Sequence, residues 1–176
     1  LERFPNSVVL YNIAGASNEG LMQFDAAIDS YKQALKIKPD YAEAYYNMGN
    51  ALNDKGDLDA AIDSYKQALS IKPDNANALS NMGSVLKRVV FNKPNSGLME
   101  IMVSVLDQRT SCRPADIAPA AISLLKLEPA LKEFLGKNSL GTVGQSLQET
   151  ASILAELPLL LKLMSVCPIA DLELES

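Results

Sequence analysis

Apolar positions recur three and four residues apart along most of the chain, and that spacing predicts helices rather than strands. Leu58, Ala61, Ile62, Tyr65, Ala68 and Leu69 fall on one face of a helix. Tyr45, Met48, Gly49 and Leu52 fall on one face of the helix before it. Gly56 and Asp57 mark a short turn between the two. Pro73 ends the second, because proline lacks an N–H and clashes with the preceding turn. Glycine inside a helix costs about 1 kcal/mol against alanine, so Gly49 points to a place where another helix approaches closely. Ala61 and Ala68 are small where two helices pack tightly. Asp40, three residues before Glu43, predicts a capping box at the start of the first helix.

The pattern then repeats. Asp25–Asp40 reads DAAIDSYKQALKIKPD and Asp59–Asp74 reads DAAIDSYKQALSIKPD, an offset of 34 residues with Lys36 against Ser70 as the single difference. One unit runs from about Val8 to Tyr41, a second from Ala42 to Asn75, and a third opens at Ala76 and keeps the pattern to about Leu86. Equivalent positions are Tyr11, Tyr45 and Leu79; Ala14, Met48 and Met82; and Gly15, Gly49 and Gly83. Later in the unit come Ala27 with Ala61, Tyr31 with Tyr65, Ala34 with Ala68, and Pro39 with Pro73. A fixed period of this size marks a stack, in which each helical hairpin buries its apolar face against its neighbours.

This pattern resembles the tetratricopeptide repeat, a helix–turn–helix unit of 34 residues, over roughly Asn6–Lys87. Unit one departs from it at Asn18 and Met22, where a larger apolar residue and a turn glycine are usual. The resemblance implies an all-α superhelix of about two and a half repeats over residues 1–88, followed by a non-repeat helical region over 89–176. It also implies a concave groove lined by the first helix of each unit. The residues expected to face that groove are Glu43, Tyr46, Asn47, Asn50, Asn53 and Asp54 in unit two, and Asn77, Ser80, Asn81, Ser84 and Lys87 in unit three. In unit one they are Val9, Asn12, Ala16 and Glu19. The residues expected to touch a peptide are Asn12, Tyr46, Asn47, Asn50, Asn77, Asn81 and Ser84.

Asn47 and Asn81 are repeat-equivalent, and an asparagine amide offers an acceptor and two donors, which suits a peptide backbone. Their arrangement resembles the asparagine ladder in the superhelical repeats of O-linked N-acetylglucosamine transferases. Ile13 stands where unit one should supply a rung. Each such hydrogen bond adds only about 0.5–1.5 kcal/mol. A lysine and arginine clamp for a carboxylate tail, used elsewhere in the family, is not expected, because those places hold Asn12, Asn47, Asn77 and Asn81.

From about Arg88 the 34-residue period is lost. Asn92–Gly97 and Thr110–Pro114 read as breaks, and Leu98–Asp107, Asp116–Leu125 and Pro129–Leu135 as helices. Gly136–Gly144 reads as a linker, and Ser146–Val166 as a helix bent at Pro158. These helices are expected to cap the stack or to connect it to another domain. Less specifically, Val90–Cys167 resembles the helical segment after the repeats in bacterial proteins that join such repeats to methyltransferase or glycosyltransferase modules.

Charge and composition remove most chemistry. The chain has 176 residues, 16 basic and 21 acidic, a net charge of −5 and no histidine. No strong electrostatic case exists for nucleic acid or an anionic membrane, and the usual general base, nucleophile triad and most zinc sites are missing. Cys112 and Cys167 lack metal-ligand spacing, and with so few cysteines the chain reads as cytoplasmic. Arg109 and Arg113 flank Cys112, but no histidine is present to activate it. Asp57, Asp59 and Asp63 read as dipole-favoured residues at a helix start. Gly136, Gly141 and Gly144 match no phosphate-binding pattern. Glu156, Pro158, Lys162 and Pro168 interrupt the most apolar stretch, so no membrane helix is expected.

The chain starts at Leu1 and stops inside an alternating apolar and acidic run, so it is expected to be a piece of a longer protein. The leading expectation is a non-enzymatic scaffold, without cofactor, that binds a protein or peptide. The alternatives are a substrate-presenting part of a larger transferase and a self-associating module.

Overall fold

A computed structural model describes residues 6–93, 95–107, 113–129, 131–132 and 157–166. Among these every long element is an α-helix and none is a strand. The chain divides into two compact units, Leu1–Val85 and Leu86–Ser176.

The first unit contains α1 (Val8–Gly20), α2 (Phe24–Ile37), α3 (Ala42–Lys55) and α4 (Leu58–Ile71), and α5 (Ala76–Leu86) follows them. Helix α1 packs on α2, α3 on α4, and α2 on α3, which is a stack of hairpins. The small and aromatic residues at equivalent places form its core. Ala27, Ala34, Ala61 and Ala68 are fully buried, and Tyr31 and Tyr65 are 0% and 1% exposed. Burying each apolar side chain of Ile or Leu size contributes roughly 1.5–3 kcal/mol before entropy is counted.

The two mid-helix glycines have a concrete cause. A Cβ at Gly49 would lie 2.6 Å from the ring of Tyr65, and one at Gly15 would overlap the ring of Tyr31 in the same way. Each tyrosine ring therefore rests directly on the backbone of its partner helix, and only glycine leaves room for it.

The hairpin turns differ between units. In unit two Gly56 ends α3 at φ +91°, and the Asp57 carboxylate accepts from the N–H of Ala60 to cap α4. In unit one Met22 occupies the equivalent left-handed position at φ +58°, and Gln23 makes no side-chain cap to α2. The expected capping box at Asp40 does not form. Tyr41 holds the N-cap position of α3 without a side-chain cap, and its hydroxyl donates to Glu43.

The second unit contains α6 (Ser96–Asp107), α7 (Pro114–Leu125) and α8 (Pro158–Val166), with α8 packed against α6 and α7. Leu98, Met102, Leu124, Leu159 and Leu163 are fully buried in it. Helix α7 begins at Pro114, inside the expected break, because a proline at the first helical position gives up no hydrogen bond. Asp116 then accepts from the backbone N–H and guanidinium of Arg113 and pairs with Lys87 at 3.2 Å. Pro119 sits exposed inside α7. The breaks and helices expected around Thr110–Cys112, Gly136–Gly144 and Ser146–Glu156, with both cysteines, lie outside the described residues.

Candidate functional site

Polar side chains on α1, α3 and α5 reach one another across the stack. Asn12 of α1 donates to Glu43 Oε1 of α3 at 3.1 Å, and Asn47 of α3 donates to Asn12 Oδ1 at 3.1 Å. One repeat later, Asn81 of α5 donates to Asn50 Oδ1 at 2.9 Å and to the Tyr46 hydroxyl at 3.3 Å. Two asparagines at equivalent positions thus tie successive first helices together, each through its Nδ2 group. Such bonds cost little entropy to form once the helices are packed, and they hold each amide in one orientation.

The buried tyrosines contribute to the same layer. Tyr65 donates its hydroxyl to Asn50 Oδ1 at 2.8 Å, and its ring lies 6.2 Å from that of Tyr46. In unit one the residue equivalent to Asn50 is Ala16, which cannot accept a hydrogen bond. Tyr31 donates instead to Glu19 Oε2 at 2.8 Å, one turn further along α1. Burial, then the neighbouring carboxylate, pushes the Tyr31 hydroxyl far above its ordinary range. Burial likewise raises the pKa of Glu19, with the Asp54 charge adding to the rise and the tyrosine hydrogen bond opposing it.

Glu19, Asn50, Asn53, Asp54, Asn81 and Ser84 line an open polar depression of about 280 Å³. All six belong to the set expected to face the groove, and Asn50, Asn81 and Ser84 are among those expected to touch a peptide. Asn47 and Tyr46 are half-buried beside the interhelical bonds, and Asn77 is exposed on α5. Asn12, expected to face a ligand, is only 7% exposed and has both amide ends engaged with α3. Asn12 also supplies the link that Ile13 was expected to break, from one position earlier on α1. Ile13 itself is 57% exposed.

The hydrogen bonds from Tyr31 and Tyr65 were not anticipated. Their signal was present: tyrosine rather than phenylalanine recurs at a fully packed position, and a buried hydroxyl needs a partner. Among the described residues no group of three or more His, Cys, Asp or Glu is arranged to hold a metal ion, and no helix is long and apolar enough to cross a membrane.

The TPR repeat family matches residues 23–53 and 49–89. The small glutamine-rich tetratricopeptide repeat-containing protein 2 of Mycosarcoma maydis is 41% identical over 56 residues. That stretch is 32% of this chain and only 16% of the relative's length. The crystal structure of MamA superposes with a TM-score of 0.52 at 21% identity, covering 92% of this chain and 81% of that one.

Proposed function

We propose, from the match of residues 23–89 to the TPR repeat family, that the face formed by α1, α3 and α5 binds an extended segment of a partner protein. The all-α repeat architecture supports a protein-interaction scaffold. The observation that carries the finer reading is the state of the asparagine amides. Asn47 and Asn81 have their Nδ2 ends fixed by interhelical bonds, while their carbonyl ends take no part in those bonds. Asn50 has the reverse arrangement: its carbonyl accepts twice, from Tyr65 and Asn81, and its Nδ2 group is not used in either bond. Acceptors and a donor are thus held in set orientations along the stack, complementary to the alternating N–H and C=O groups of an extended backbone. Fixing them before binding lowers the entropy cost of capture.

A steric block tests this reading without removing any interhelical bond. Ser84 is exposed at the depression, and its hydroxyl donates to the Ser80 carbonyl within α5. Partner peptides would be recovered by pull-down with the whole chain, mapped, and titrated against Ser84→Trp. The variant is expected to lose about tenfold or more in affinity, roughly 1.4 kcal/mol, with an unchanged melting temperature. Equal affinity for variant and parent would reject the groove.

A further inference from the structure

The groove carries two chemistries side by side, and together they define a partner. The helices that line it bear three carboxylates, Glu19, Glu43 and Asp54, and one lysine, Lys55. That lysine turns away to Asp25 of α2 at 2.5 Å. Glu43 is spent on Asn12 and Tyr41. Glu19 and Asp54 remain in the depression, with only polar and acidic neighbours lining it. Tyr31 engages one oxygen of Glu19, and Asn53 donates to one oxygen of Asp54. The second observation is independent of these charges. On α1 the surface positions Val9 and Ile13 are apolar and 59% and 57% exposed, and Ala16 is exposed in line with them. Their equivalents on α3 are Glu43, Asn47 and Asn50, so the same row changes from polar to apolar at the first repeat.

On the basis of the proposed groove, we infer that it selects an extended segment with a lysine or arginine for the Glu19–Asp54 depression and a branched aliphatic residue for the Val9–Ile13 row. A cation entering beside two carboxylates, one of them already partly desolvated, forms charge-assisted hydrogen bonds and removes their mutual repulsion. A glutamate at that place would meet like charge. The aliphatic row covers its exposed surface only against an apolar side chain. The spacing is set by the helix. Ile13 and Glu19 are six residues apart on α1, at least about 9 Å along its axis at ~1.5 Å per residue. An extended chain advances ~3.3 Å per residue, so the two anchors lie about three or more residues apart.

The test uses the whole 176-residue chain, immobilised, and mixed-sequence heptapeptide libraries capped at both ends. The libraries fix Lys, Gln or Glu at one position and Leu or Ser three positions away, in either order, and retained peptides are quantified by mass spectrometry. The Lys/Leu library is expected to be retained about tenfold over Glu/Leu, the worth of one charge-assisted bond, and also above Lys/Ser. Glu19→Gln combined with Asp54→Asn should abolish the Lys preference and keep the Leu preference, and Ile13→Ser should do the reverse. Glu19→Gln retains an acceptor for Tyr31, and a melting curve of each variant confirms that it folds. Equal retention of Lys, Gln and Glu libraries, with Ser84→Trp still reducing all of them, would overturn the inference and leave the groove standing. No retention of any library, or retention unaffected by Ser84→Trp, would overturn both.

Discussion

Units one and two share nearly the same second helix, yet they solve the same structural problems with different residues. In unit two the turn has glycine at φ +91° and an aspartate cap, and the buried tyrosine donates to an asparagine. In unit one a methionine takes the left-handed position, no side chain caps α2, and the tyrosine donates to a carboxylate. What is invariant is the packing: a glycine under a tyrosine ring, and fully buried alanines on the second helix. The comparison teaches that the stack is specified by the shape of the helix–helix contact. Turn chemistry and surface polarity are free to vary around it, and the variation creates an acidic depression next to an apolar row.

The largest effect expected from breaking this likeness is at the invariant contact. Gly49→Ala and Gly15→Ala each add one methyl group against a packed tyrosine ring and should destabilise by about 1–3 kcal/mol through overpacking, despite alanine's better helix propensity. Ala61→Leu should fall in the same range. Thermal or urea unfolding measures all three, and a rise in stability for either glycine variant would mean that the rings do not rest on the backbone.

The turn sharpens the difference between units. Met22→Gly should stabilise by about 1 kcal/mol by relieving a left-handed non-glycine residue, and Gly56→Met should cost a similar amount. Chemical denaturation of the pair is the check, and matching shifts of the same sign would contradict it. A smaller gain, about 0.5–1 kcal/mol, is expected from Gln23→Asp, which gives α2 the cap that Asp57 gives α4; the same measurement reads it.

The smallest effect is in pH dependence. Because the folded-state pKa of Glu19 is raised, chiefly by burial, its contribution to stability is fully present below the unfolded pKa near 4.5 and is lost as pH rises through the folded value. Glu19→Gln should therefore be relatively more stable than the parent at neutral pH than at pH values below that range. Unfolding followed across pH tests this, and a parallel offset at every pH would contradict it.

Most of the fold was legible because it is local. Period, turn and proline located α3 and α4 and the opening of α5, and the glycine at 49 announced its close contact. The site was only partly legible, because its bonds cross between helices separated by more than thirty residues. Asn12 rather than Ile13 faces α3, a difference of one position and about 100° around the helix that sequence equivalence alone assigns to the wrong residue. Asp40 is no cap because Tyr41 holds the N-cap position, one residue later, and the Glu43 carboxylate bonds Asn12 and Tyr41, neither of which is visible from the three-residue spacing. Pro114 reads equally well as a break or as the first residue of a helix, and the Arg113–Asp116 contacts decide between them.

The claim on which the rest depends is that ligand meets the α1–α3–α5 face. The most direct measurement is a nitrogen-15 NMR titration of the labelled chain with a retained Lys/Leu heptapeptide, following the side-chain amides of Asn47, Asn50 and Asn81. These resonances are expected to shift in a saturable way, while backbone signals of Asp29, Asp63 and Ser64 on the second helices stay in place. Saturable shifts confined to α2 and α4, with the three asparagine amides unmoved, would contradict it.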